Sequence, residues 1–578
     1  MRGVRLRFAV AMVLVLLAGV APTVAPAVGA EAPTPPHVSS SRIILLTLRG
    51  LRLVDASTKI AAAGKIPQGI SVDGPKLLDD PALFRQLQPF IGRSFSMSTM
   101  QAITAVIEKW YRTHNRPFVD VSFPDQDISA SIVQAVVTEY RLGKVRAQGN
   151  KWFGAWLLRS DISLEPGDQI DVKRLDDDLA WINQNSYRQV QIAAEKNQTE
   201  GTVDLMLQST DRLPWRFAAG FDNTGTPVTG RARWNANIDW GNAFFLDQDI
   251  SYQFSSSDDF WLRPEGVPVA VHDATFQGHQ ASWSIPLPWR DKLVIMGNYS
   301  EQRPDLGPFF TQLGTSWQGS VRYVIDLAAT DKLTQEIQFG FDYKRTNNNL
   351  AFGGTSISKT PTEIDQFPIT YNAVIADPLG RTVFFDEVVL SPGHMTSQNT
   401  NLAFQPSTTQ IGVPDAKAQY VYGDADVTRV TRLPFNTSWI VRLQSQLATS
   451  NLLQSEQLGL GGVESIRGYD ERAASGSMGV LVSNELRSPP VGVIDNILGT
   501  KTGDQIQFDA FLDYGHIWED TVTSGALNSA TLASFGAGTH YVIGRFADIR
   551  FEYGWQLKDA PGETKPKSEP CLSVVISY

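Results

Sequence analysis

Cysteine is all but missing from this 578-residue chain: Cys571 stands alone. One thiol forms no intramolecular disulfide framework and supplies no cysteine-cluster metal site. Charge is scarce as well. Asp, Glu, Lys and Arg make up 19% of the residues, below the roughly 25% usual for soluble domains. The balance is negative, at −10, which argues against a nucleic-acid partner, whose reader carries a basic footprint. After the first 30 residues there is no apolar run of the about 20 residues that a transmembrane helix needs. No H-E-x-x-H, G-x-S-x-G or Walker pattern occurs. The chain reads as a non-enzyme with no catalytic, cofactor-binding or metal residues. Against these absences stands one abundance: aromatics reach 10%, with 14 Trp and 29 Phe.

Length sets a loose frame. At about 150 residues per domain the chain would hold three or four. Residues 1–30 read as a secretory signal peptide: Arg2, Arg5 and Arg7, then the apolar run Phe8 to Val20, then small residues ending at Ala30. An exported chain with almost no cysteine fits a bacterial envelope. Residues 31–66 form a linker or plug segment, opened by Pro33, Pro35 and Pro36; Ile43 to Val54 within it is a strand or a short helix.

Two small mixed domains follow. In 67–141, Ser98-x-x-Gln101 matches a capping box. Met100, Ile103, Ile107 and Trp110 then recur at helical spacing. A shorter helix precedes this one, and the strands Phe118 to Phe123 and Ile132 to Tyr140 follow it. The same order returns over 142–212, with Gly92 and Gly167 at matching points. The run Asp176-Asp177-Asp178 points three ways around a helix and reads as a solvated face rather than a metal site.

From 213 to the end the pattern changes to strict alternation. Ala232, Trp234, Ala236, Ile238 and Trp240 interleave with Arg231, Arg233, Asn235, Asn237 and Asp239. Ile549, Phe551, Tyr553, Trp555 and Leu557 interleave with Asp548, Arg550, Glu552, Gly554 and Gln556. Period-2 alternation puts the two sets on opposite faces of a sheet. A soluble sandwich alternates too. Full charges on the polar face, aromatics on the apolar one, and long connections after odd strands with short ones after even strands favour a transmembrane barrel. Sixteen strands begin near Arg216, Arg231, Asp247, Ala274, Lys292, Ser316, Thr334, Glu363, Arg381, Ala418, Ser438, Gly476, Gln505, Thr531, Asp548 and Cys571. The last carries Leu572, Val574, Ile576 and Tyr578 on one face, the pattern of a barrel-assembly signal. His516, near the end of strand thirteen on its apolar face, reads as interfacial.

Two segments of this region carry chemistry. Leu458 to Asp470 is a glycine-rich stretch after an odd strand, hence on the external side, and no Gly-Lys-Ser/Thr follows to make it a phosphate loop. In strand thirteen, alternation turns Asp509, Phe511, Asp513 and Gly515 into the lumen. Arg467 becomes a partner for Asp513 if its loop folds back inside. Ile466-Arg467-Gly468-Tyr469 resembles the [V/I]-R-G-[Y/F] motif, and Phe511-Leu512-Asp513-Tyr514-Gly515 the F-x-D-x-G motif, of two-partner secretion transporters. These are the haemolysin and filamentous-haemagglutinin secretion/activation proteins.

The resemblance implies a fold and a mechanism. The fold is a transmembrane β-barrel of 16 antiparallel strands preceded by two small α+β polypeptide-transport-associated (POTRA) domains. Those domains would take up an unfolded exoprotein in the periplasm, and the barrel would pass it outward without ATP. Arg467, Gly468 and Tyr469 would lock a loop into the lumen against Asp513, with Ile466, Phe511 and Gly515 in support. Expected partners are the secreted exoprotein, outer-membrane lipid and the machinery that inserts barrels; the barrel itself is expected to be monomeric. A barrel-assembly factor is the nearest alternative, but it carries more than two POTRA domains.

Overall fold

The structure, a computed structural model, describes residues 47–62, 66–197, 201–260, 274–304, 310–327, 329–330, 332–352, 355–358, 361–407, 412–499, 502–525, 527–562 and 568–578. The expected signal peptide lies outside the described residues. The chain divides into two units, one ending at Leu213 and the other running from Pro214 to Tyr578.

The first unit holds two α+β domains. The first is built from β1 (Gly50–Val54), β2 (Gly69–Asp73), α1 (Pro81–Leu87), α2 (Met97–Thr113), β3 (Val119–Ser122) and β4 (Ile132–Glu139). Its sheet runs β2-β1-β4-β3. Strand β1 is parallel to both neighbours, with Leu51 opposite Ile70 and Val133. Leu51, Leu53, Ile103, Ile107, Tyr111 and Val133 share one core, so the spacing of α2 does put its apolar face on the sheet.

Two expectations change here. The domain does not open at 67: β1 lies inside the tract read as linker or plug and is a central strand of the sheet. Five residues between Arg49 and Asp55 are too short a signal for a strand paired on both edges. The cap of α2 is Ser96, whose Oγ accepts the Thr99 N–H at 3.2 Å, so the helix starts earlier than the Ser98 capping box allowed. Ser98 spends its hydroxyl on Ser96, 2.8 Å away.

The second domain has β5 (Arg141–Gln148), α3 (Ala155–Ser160), α4 (Val172–Ile182), β6 (Arg188–Lys196) and β7 (Thr202–Asp211), in sheet order β5-β7-β6. Gly92 and Gly167 occupy equivalent turns, at φ +92° and +97°. Each donates its N–H to a carbonyl at the opening of its domain, Leu48 and Leu142, both at 2.8 Å. Only glycine takes this backbone freely. The Asp176–Asp178 run is not wholly solvated. Asp178 is buried and accepts the N–H and hydroxyl of Ser163 at 2.8 and 3.0 Å, tying α4 to the loop beneath it.

The second unit is a closed antiparallel barrel of sixteen spanning strands. The first is Trp215–Asp222 and the sixteenth Glu569–Ser577. They close the barrel with Val574 opposite Phe221 and Ile576 opposite Ala219. Tyr578 and Phe217 extend the seam, the Tyr578 N–H reaching the Phe217 carbonyl at 2.9 Å. A four-residue strand, Thr355–Ser358, is added to the end of strand seven (Leu333–Phe352). Each expected strand start falls at or near an observed strand. The largest displacement is the sixth, which begins at Phe310 and not Ser316.

Alternation is visible in exposure. On strand thirteen (Asp504–Trp518), Phe508, Leu512 and Tyr514 are 58%, 51% and 45% exposed on the outside, while Phe511 and Asp513 are buried within. Outside, aromatics pair across strands, as Trp215 on Trp240 at 4.9 Å and Phe535 on Trp555 at 5.3 Å. His516 belongs to the outer set, stacked on Trp518 with its ring nitrogen 2.8 Å from Thr531 Oγ1.

Candidate functional site

The segment joining strand eleven (Ser438–Ala448) to strand twelve (Met478–Arg487) folds back into the lumen. It forms a short hairpin, Leu458–Leu460 against Ala474–Gly476. Leu458, Leu460, Ile466 and Tyr469 pack on the inward side chains Leu481, Ile517 and Leu532. Here a small apolar core forms between a loop and a barrel wall. That core holds Arg467 and Asp513 away from solvent, at 3% and 0% exposure.

All five guanidinium N–H groups of Arg467 find acceptors. Nε and Nη2 grip Asp513 as a fork, at 2.8 and 2.9 Å. Nη1 reaches Glu485 at 2.7 Å and Glu552 at 3.0 Å, and Nη2 also reaches Ser483 Oγ at 3.2 Å. The Arg467 backbone N–H adds a bond to Asp513 at 3.2 Å. The guanidinium lies 3.6 Å from the centre of the Phe511 ring. Charge-assisted, bidentate and stacked contacts of this kind fix position as well as sign. Glu485, Asp509 and Glu552 each bring an oxygen within 4.8 Å of the others, a spacing open to a metal ion. Arg467 Nη1 already bonds two of the three, so the guanidinium is the cation these carboxylates face.

The flanking motif residues explain why the loop can come this close. Gly468, at φ +91°, passes the wall where strand fifteen (Ala547–Gln556) has Gly554, and its carbonyl accepts the Gln556 side-chain amide at 2.8 Å. Gly515 leaves room for Leu460 and Ile466: a Cβ there would stand 2.8 Å from the first and 3.2 Å from the second. Tyr469 is buried, its hydroxyl between the carbonyls of Ala533 (2.8 Å) and Lys558 (2.6 Å). Nearby, Arg442 holds the Glu464 carbonyl at 2.6 Å, and Arg231 pairs with Asp470 at 2.5 Å.

The structure therefore brings Arg467, Gly468, Tyr469, Asp513, Ile466, Phe511 and Gly515 into one place. Leu572, Val574, Ile576 and Tyr578 lie elsewhere, on strand sixteen and just past its end, with Ile576 and Tyr578 exposed. Sequence reasoning missed Ser483, Glu485 and Glu552 as partners of Arg467. Alternation turned Glu552 inward, but nothing local shows which inward carboxylates a folded-back loop will meet.

Known proteins are similar to this chain in sequence and in fold. The family described as haemolysin secretion/activation protein ShlB/FhaC/HecB matches residues 201–541, more than half the chain. An outer membrane transporter CdiB of Escherichia coli O6:K15:H31 (strain 536 / UPEC) is 22% identical over 72% of this chain and 68% of its own. A heme/hemopexin transporter protein HuxB of Haemophilus influenzae is 19% identical over 78% of this chain and 76% of its own. Among solved structures, CdiB from Escherichia coli superposes with a TM-score of 0.68 at 17% identity, over 94% of this chain and 93% of that one. BamA from Haemophilus ducreyi, solved without its POTRA domains 1–3, gives 0.51 at 13% identity, over 88% and 98%. The chain belongs to the haemolysin secretion/activation protein family, the outer-membrane transporters of two-partner secretion.

Proposed function

We propose that the Arg467–Asp513 contact is the lock of the export pore. The observation that carries this is the complete satisfaction of a buried arginine by a loop-to-wall network. Such a network has two defined states: seated, or broken with buried charge exposed. An unfolded exoprotein is taken up by the two α+β domains, acting as POTRA modules, by adding a strand to an open sheet edge. The first domain offers β2 and β3 as edges and the second β5 and β6. The exoprotein then displaces the loop tip and passes through the lumen to fold outside. Strand sixteen, with Leu572, Val574, Ile576 and Tyr578, presents the signal that the insertion machinery reads, and the barrel works as a monomer.

The test is export by single variants. Arg467→Ala and Asp513→Ala each abolish export while the barrel still assembles, as read by exoprotein in the medium and by heat-modifiable migration of the transporter. Full secretion by either variant overturns the lock. Deleting the protein strands one large exoprotein in the periplasm; a general loss of outer-membrane proteins would point to barrel assembly instead.

A further inference from the structure

The loop that carries Arg467 has a second buried ionic anchor, earlier in the same loop and paired to a different strand of the wall. Glu456 precedes the lumen hairpin and is fully buried. Its Oε1 accepts from Lys344 Nζ of strand seven at 2.7 Å, and its Oε2 from the Tyr422 hydroxyl of strand ten (Gln419–Arg432) at 3.0 Å. Its backbone carbonyl accepts from the Gln446 side chain of strand eleven at 3.0 Å, and the same amide reaches the Ser477 carbonyl, also at 3.0 Å. Ser477 in turn accepts the Leu452 N–H at 2.8 Å and donates to Glu519, whose carboxylate also holds the Gln457 side chain at 3.0 Å. These bonds gather both legs of the hairpin into one base.

The tip is held otherwise. Arg467 is bound by Ser483, Glu485, Asp513 and Glu552, and none of these side chains serves the base. Between base and tip lie Gly461 and Gly462, at φ +104° and +100°. A Cβ on Gly461 would stand 2.3 Å from the Asp470 carbonyl oxygen, and one on Gly462 2.2 Å from the Glu471 carboxyl carbon. The tip closes on itself across this joint, by Gly462 N–H to Tyr469 O and Arg472 N–H to Gly461 O, both at 3.2 Å. Two glycines in left-handed backbone can change φ and ψ without the steric cost that other residues carry. The glycine-rich run finds its use here, as a joint rather than a phosphate cradle.

We propose that Lys344 and Glu456 are a second latch, which keeps the stalk of the loop seated while the tip swings about Gly461–Gly462. Their role is positional: the pair fixes where the tip can go and return to. The inference rests on the reading that the tip leaves Arg467's site during export. Physically, a buried ion pair is costly to break because a single partner would be left charged and desolvated. Two such anchors on different strands let one open while the other stays shut.

The test reads the two parts separately in the full-length protein. With Cys571→Ser as background, nitroxide labels are placed at Ser475 in the stalk and Glu464 in the tip, and the protein is reconstituted in phospholipid vesicles. Spin-label mobility is then compared. Arg467→Ala is expected to mobilise the tip label and leave the stalk label immobile. Adding Glu456→Gln is expected to mobilise both, and replacing it by the exchange Lys344→Glu with Glu456→Lys to return the stalk label to immobility. Each variant is first shown to migrate as a folded barrel. If Glu456→Gln does not assemble, the charge exchange, which keeps the pair, decides. A stalk label mobilised by Arg467→Ala alone, or immobile in Arg467→Ala/Glu456→Gln, or mobile in the exchange, overturns the second latch. None of these readings involves export, so failure of the lock in secretion assays is a separate result.

Discussion

Gly468 and Gly554 meet backbone to backbone. A Cβ on Gly468 would stand 2.6 Å from the Gly554 carbonyl oxygen, and one on Gly554 would stand 2.7 Å from the Arg467 carbonyl. Each glycine is therefore required by the other, and together they set how deeply the loop tip seats. The obstructing atoms are main chain on both sides, the barrel strand for a Cβ on Gly468 and the loop tip for one on Gly554, so no side chain can move aside. Gly554→Ala should lift the tip off the wall and lengthen the Arg467 contacts. Export should fall as far as in Arg467→Ala, with the barrel still assembled, as measured by exoprotein in the medium and heat-modifiable migration. Wild-type secretion by Gly554→Ala would show that the close approach is dispensable.

Arg467→Lys tests geometry apart from charge. Lysine keeps the positive charge but has three donors, no planar fork, and no planar group to stack on the Phe511 ring. It cannot replace the five hydrogen bonds that the guanidinium makes to Asp513, Glu485, Glu552 and Ser483. Breaking a buried pair on one side costs about 3–5 kcal/mol, and the lysine variant should lose a large part of that. The heat-modifiability midpoint should drop towards that of Arg467→Ala. A midpoint equal to wild type would mean that charge alone seats the tip.

Asp509→Asn should stabilise the barrel. Asp509 is buried beside Glu485 and Glu552, and its Oδ2 has no hydrogen-bond partner. Oε2 of Glu552 is likewise without one. An amide at 509 removes a like charge from the cluster and supplies a donor that Glu552 can accept. Relieving an unsatisfied buried group is worth about 1–3 kcal/mol. The midpoint should rise in Asp509→Asn and fall in Asp513→Asn, which loses one side of the fork. A fall in both would place Asp509 among the groups that hold the loop.

These sites were unevenly legible in the sequence. Period-2 alternation turned Asp509, Phe511, Asp513 and Glu552 inward, because the side-chain period of a strand is fixed by its backbone. It could not pair Arg467 with Glu485 and Glu552. Those contacts depend on how far a loop of nearly thirty residues descends and which strands it faces there, which no local period encodes. Lys344 and Glu456 were invisible for the same reason: 112 positions separate them. In the first domain, a strand and a short helix both stayed open for Ile43 to Val54, and the brevity of β1 hid its place at the centre of the sheet. Asp178 was misjudged because the loop that covers it, at Ser163, is not part of its helix.

Tyr469 allows packing and hydrogen bonding to be separated at one residue. Its ring lies in the loop–wall core with Leu460, Ile466 and Leu532, while its hydroxyl sits between the Ala533 and Lys558 carbonyls. Tyr469→Phe removes only the hydroxyl, at a net cost of about 1 kcal/mol. Tyr469→Ala removes the ring as well, and truncating a buried aromatic costs about 3–5 kcal/mol. If apolar packing seats the tip and the hydroxyl merely orients it, Tyr469→Phe should export close to normally with a slightly lower midpoint. Tyr469→Ala should then lose export and behave like Gly554→Ala. Equal loss in both variants would place the seating energy in the two carbonyl contacts, and the tip would be held by polar bonds throughout.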